Sequence, residues 1–153
     1  MHGIPYADLL ALVRFTAPYA GYPAAADALA RLGEIAGELG IDTRADDPGR
    51  ADPRGAEHFR SDDAWMAQFV ADRTARAWSE ERLSRRERAV IALTTDVGQQ
   101  TLGESFHLHV RQALDAGLSP EEIRDAVRFC GEMGVAKAVE AVRELGAVHM
   151  TSP

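Results

Sequence analysis

The stretch Glu104 to Leu114, ESFHLHVRQAL, gathers two histidines, a carboxylate, a serine and an arginine. Imidazole titrates near neutral pH, so a histidine oriented by a polar neighbour can serve as general acid or base. Helical spacing divides the stretch into two faces. Glu104, His107 and Arg111 lie three and four apart on one; Leu102, Ser105, His109 and Gln112 share the other. The two imidazoles then point about 160° apart. Each face offers its own chemistry. His107 with Glu104 makes an acid–base pair in which the carboxylate orients the ring. His109 with Ser105 makes an acid or base beside a hydrogen-bond partner or substrate contact. Each also has a structural reading: an exposed i,i+3 polar pair for the first, and a partly buried histidine bonded to a backbone carbonyl for the second. Arg111 suits a bidentate hold on a substrate carboxylate.

Residues elsewhere add to these. Tyr19 and Tyr22 flank Gly21 in YAGYP. A tyrosine can donate a hydrogen bond to a developing enolate, although aromatic residues around a helical glycine also mark close packing. Trp65 and Trp78 are expected to anchor the helix before Ser84, or to wall a pocket. Cys130 is the only cysteine, so no intramolecular disulfide forms, and with no adjacent basic group evident to lower its pKa it reads as a small core residue. Glu132 is a weaker site candidate. The run Arg82, Arg85, Arg86 and Arg88, interleaved with Glu80, Glu81 and Glu87, reads as a solvated face. A di-metal bundle needs two Glu-x-x-His motifs and further glutamates, and only one lies on a clear helix. Glu57 and His58 fall in a polar segment. The expectation is chemistry without metal or cofactor.

The elements that must position these residues follow from composition and capping. A chain of 153 residues, 46% hydrophobic and 27% charged, suits one domain with a sizeable core. A net charge of -7 argues against bulk nucleic-acid binding, yet a few local arginines can still hold an anionic substrate inside a cleft. No charge-free apolar run reaches membrane-spanning length, and the start MHGIPYADLL lacks a signal-peptide pattern, so a cytoplasmic protein is expected. Residues 41–63, rich in Asp, Pro, Gly and Arg, read as a flexible linker between an N-terminal part, 1–40, and a C-terminal part, 64–153. Both parts carry alanine-rich helical patterns and nothing keeps the strand period, so the chain is expected to be all-α. Ser84 to Glu87 and Ser119 to Glu122 are capping boxes, the second with proline at the first helical position. Gly117 ends the histidine helix, which therefore forms a tight hairpin with the next.

Residues 3–33 also resemble residues 117–146. Gly3 matches Gly117, Val13-Arg14-Phe15 matches Val127-Arg128-Phe129, and after a one-residue gap Gly21, Ala25 and Leu32-Gly33 match Gly134, Ala138 and Leu145-Gly146. The first copy lacks the histidine helix, which leaves about one and a half repeats with the half-repeat first.

RAWSEERLSRRERAVIAL (76–93), FHLHVRQALDAGLSPEEI (106–123) and FTAPYAGYPAAADAL (15–29) together resemble the carboxymuconolactone decarboxylase family, which shares the alkylhydroperoxidase D-like fold. The order is altered, because YAGYPAA here precedes the histidine helix. The resemblance implies an α-helical bundle that assembles as trimers or hexamers, often with sites near subunit interfaces. It also implies either decarboxylation of a carboxylated lactone or peroxide reduction by a Cys-x-x-Cys pair before the family histidine. His109 occupies that histidine's place, and the thiol positions are Leu102 and Ser105. Without thiols there the disulfide cycle has no chemistry. The expected protein is thus a cofactor-independent lyase, most directly a decarboxylase, on a small or mid-sized carbonyl, lactone or carboxylate compound. An isomerase, cyclase or lactone hydrolase uses the same parts; a peroxide-linked redox protein or a non-catalytic oligomeric binding protein are the rival classes. The expected site is His109, His107 and Glu104 for catalysis, with Ser105, Arg111, Tyr19, Tyr22 and Trp78 around the substrate. The expected partners are that substrate and further copies of the chain, as dimer, trimer or hexamer, with neither nucleic acid nor membrane.

Overall fold

Helices begin where the sequence supplies a cap. The computed structural model describes residues 4–43, 62–79 and 82–148. Among these, α4 (Arg85–Gln99) and α6 (Pro120–Phe129) each open on a complete capping box. Glu87 accepts from the Ser84 backbone N–H at 2.7 Å and Glu122 from that of Ser119 at 2.8 Å, while each serine hydroxyl accepts from its glutamate's N–H. At α3 (Ala64–Trp78) the Asp63 carboxylate caps the Met66 N–H. The other helices are α1 (Tyr6–Ala20), α2 (Tyr22–Glu38), α5 (Glu104–Asp115) and α7 (Val135–Ala147), with a short 3-10 turn at Cys130–Glu132 before α7. No strand occurs among the described residues, so the chain is all-α.

Two glycines make the tight corners. Gly21, at φ 100, turns α1 into α2, and Gly117, at φ 85, turns α5 into α6; a side chain would be strained at either. The expected α5–α6 hairpin and the all-α pattern are both present.

α4 holds the molecule together because it is buried on two sides. Ala89, Leu93 and Val97 pack with Phe106, Val110 and Ala113 of α5, Ile123 and Val127 of α6, and Ala141 and Leu145 of α7. On its other side Ala92 meets Ala11 and Phe15 of α1 and Trp78 of α3. Each fully buried Leu, Val or Phe contributes on the order of 1.5–3 kcal/mol, so this two-sided packing is where most of the stability resides. It also fixes the N-terminal helices onto the body of their own chain.

Two expectations need correction or limits. Trp65 is not a core anchor among the described residues: it is exposed and stacks on Phe69 at 5.2 Å, while Trp78 is the buried anchor. Most of the segment 41–63, with Glu57 and His58, lies outside the described residues. No helix among them is long and apolar enough to cross a membrane.

Candidate active site

The buried residues of α4 are Arg88, Ala89, Ala92, Leu93, Asp96 and Val97. One member is a carboxylate, and burying a charge in an apolar interior is costly unless it is hydrogen-bonded. The fold meets that demand through the turn after α4. Gln100 ends the helix in the left-handed conformation, and the chain returns as α5 alongside. Thr101 in the turn and Ser105 in the first turn of α5 donate their hydroxyls to Asp96 Oδ1 at 2.6 and 2.9 Å. His109 follows Ser105 by four residues on the same face. Its Nδ1 lies 2.5 Å from Asp96 Oδ2. Both partners of this pair are almost fully buried, His109 at 2% and Asp96 at 4% exposure.

A carboxylate only accepts, so ionised Asp96 places a proton on Nδ1 and leaves Nε2 as the atom that gains or loses one. The ring is walled by aromatics. Tyr19 of α1 meets the His109 ring edge-on at 5.4 Å. The Trp78 indole N–H donates to the Tyr19 hydroxyl at 2.7 Å, and Phe15 packs against both rings. Arg88, also buried, lies over the Trp78 ring and donates to the Trp78 carbonyl at 2.5 Å. Burial above all pushes the Tyr19 hydroxyl from the ordinary 10.0 up to about 12; the Trp78 N–H opposes this and the Asp96 charge adds to it. Tyr19 therefore remains a neutral donor across the physiological range.

Of the residues singled out by sequence, His109, Ser105, Tyr19 and Trp78 come together here. Ser105 serves the carboxylate that holds His109 instead of bonding the ring itself. His107 faces away, as the helical spacing demanded, but its partner is Glu144 of α7 at 2.6 Å, not Glu104. Glu104 and Arg111 are exposed. Tyr22 stands apart, beside a cleft between α1, α2 and α3. Cys130 is buried, and burial pushes its thiol pKa up, away from the reactive thiolate. Asp96 and Thr101 are the residues that sequence reasoning passed over, while Arg88, read with Arg82, Arg85 and Arg86 as part of a solvated face, is instead buried against Trp78. A single carboxylate on the largely apolar stripe Ala89, Ala92, Leu93 and Val97 was the available signal for Asp96.

Residues 63–147, from the start of α3 to the end of α7, match the carboxymuconolactone decarboxylase family. The chain belongs to that family. No curated protein and no solved structure matches it. Within the matched region lie Asp96, Thr101, Ser105, His109 and Trp78. Tyr19 and Phe15 come from α1, outside it. In this carboxymuconolactone decarboxylase family member the N-terminal helix α1 supplies the wall against which the histidine rests.

Proposed function

We propose that the protein is a cofactor-independent acid–base enzyme on a small or mid-sized carbonyl, lactone or carboxylate compound, with decarboxylation as its most direct reaction. The observation that carries this reading is the buried Asp96–His109 pair with the neutral Tyr19 at its edge. Decarboxylation breaks the bond to the carboxyl carbon and leaves its electron pair on the substrate as an enolate. A neutral phenol stabilises that enolate by donating a hydrogen bond, which is Tyr19's part. Protonated His109 then delivers its Nε2 proton to carbon, Asp96 holds the imidazolium, and water restores the proton. Isomerisation, cyclisation and lactone hydrolysis draw on the same donor and acid. The exposed Arg111 and the His107–Glu144 pair take no part.

A second reading has its own observation. His109 and Asp96 are as buried as a purely structural pair, which favours a non-catalytic binding protein of the same fold. Turnover separates the two. On a panel of lactone and β-keto carboxylates, followed by carbon dioxide release, His109→Gln is expected to lower kcat by about 10²-fold or more. Tyr19→Phe lowers it less. A wild-type chain that turns over nothing, with His109→Gln only less stable, would establish the structural pair instead.

We infer also that the chain assembles with copies of itself. Support comes from Phe129, Met133, Val135, Val139 and Val142, large apolar side chains left exposed on consecutive elements.

A further inference from the structure

We propose that the cleft between α1, α2 and α3 binds an organic anion with an apolar body, its charged end held by Arg14, Arg73 and Arg76. The inference concerns binding alone and stands whether or not His109 is catalytic. The cleft has a volume of about 760 Å³, within the range of small-molecule sites. Its walls are small or apolar: Phe15 and Pro18 from α1, and Leu29 with several alanines from α2. Three arginines stand at these walls in a chain whose net charge is -7.

Among the described residues these arginines share a lack of carboxylate partners with Arg85 and Arg111, and differ from those two in standing together at one cleft. Arg31, Arg82, Arg86, Arg124, Arg128 and Arg143 each pair with Asp or Glu. Among the described residues no ion pair engages Arg14, Arg73 or Arg76. The internal repeat shows how this arose for Arg14. Its counterpart Arg128 pairs with Glu121 and Asp125, two turns and one turn earlier. At the matching places of the first copy stand Ala7 and Ala11. The guanidinium is kept and its intramolecular partners are gone.

Arg73 is held in place without being neutralised. Its guanidinium lies 5.1 Å from the Phe69 ring centre and 5.9 Å from that of Tyr22, and stacking of this kind keeps the charge while limiting the rotamers. A planar fork so placed suits carboxylate or a similar oxyanion. A free inorganic anion would leave the apolar walls wet, so the fitting ligand carries an apolar body. The floor of the cleft is Phe15, whose ring touches Tyr19 and Trp78, so the acid–base cluster lies behind an aromatic wall.

The test uses 2-naphthoate as probe and the neutral 2-naphthamide as control, by isothermal titration of the full chain. Naphthoate is expected to bind at one site per chain and at least about tenfold more tightly than the amide, a difference of roughly 1.4 kcal/mol. Arg14→Gln and Arg76→Gln, both exposed positions, each weaken naphthoate several-fold and leave the amide unchanged. Ala26→Trp fills the cleft and removes binding of both, with circular dichroism reporting the fold. His109→Gln leaves naphthoate affinity unaltered. Equal affinity for acid and amide, or arginine variants that bind as the wild type does, would overturn the proposal. So would loss of binding in His109→Gln, because that result places the anion at the acid–base cluster.

Discussion

Asp96 is the residue on which the acid–base cluster turns, because both of its oxygens are engaged inside an apolar helix interface. Thr101 and Ser105 hold one oxygen and His109 meets the other, so the imidazole has a single orientation in which Nε2 faces away from the carboxylate. Tyr19 adds a pH signature that can be read without any substrate. Its hydroxyl titrates near 10.0 in the unfolded chain and at about 12 in the fold. Between those values the unfolded chain has lost a proton that the native chain still holds. Unfolding is therefore favoured as pH rises through this window, by up to roughly 1.4 kcal/mol per pH unit. The contribution is complete below pH 10 and gone above about 12. Urea melts at pH 9, 10, 11 and 12 are expected to show the decline, and Tyr19→Phe should lessen its slope. An equal slope in the variant would mean that Tyr19 ionises in the fold as it does in water.

At the scale of elements, capping is what joins sequence to structure. The α6 box does more than start a helix, since Arg86 of α4 donates both to the Gly117 carbonyl at 2.6 Å and to Glu122 at 2.7 Å. The Ser119 backbone N–H, then Arg86, hold Glu122 down from the ordinary 4.5 to about 2. The sign is opposite to that of Tyr19. As pH falls from 4.5 towards 2 the unfolded chain takes up a proton that the native one refuses, and stability drops. Glu122→Gln is expected to flatten that part of the acid denaturation curve, followed by the urea midpoint between pH 5 and 2; an unchanged curve would mean that the contacts do not persist in solution. Both capping boxes, the α5–α6 hairpin and the opposed directions of His107 and His109 were legible in the sequence because each depends on residues within about one helical turn. The partners of the histidines were not. Asp96 lies thirteen residues before His109 across the α4–α5 turn, and Glu144 reaches His107 from α7. Helical periodicity places residues on a face but does not say which face of another helix comes to meet it. Glu104, the carboxylate that periodicity offered to His107, stays in solvent for that reason.

At the scale of the whole molecule the internal repeat poses a question about covering. Its second copy carries Val135, Val139 and Val142 where the first carries Tyr22, Ala26 and Leu29. In the first copy that stripe lines the cleft and α3 stands across from it. The second copy leaves the stripe exposed, with Val135 at 72%, and Phe129 and Met133 extend it. Spacing of four and three residues puts the valines on one side of α7, so they form a continuous apolar strip of the kind that soluble monomers seldom leave bare. A second copy of the chain is the occupant that our assembly reading commits to. Light scattering is then expected to give a mass that is a multiple of 16.6 kDa for the wild type. Val139→Glu places a charge in the middle of the strip, where burial against another chain leaves it unpaired and costs several kcal/mol. Its mass should fall to 16.6 kDa with the helical signal intact, because Val139 is exposed within its own chain and makes no part of the core. Should the wild type itself run as a monomer, the strip is not a self-association surface. If the mass is a multiple but Val139→Glu leaves it unchanged, the copies meet elsewhere, and the exposed strip on α7 has no part in assembly.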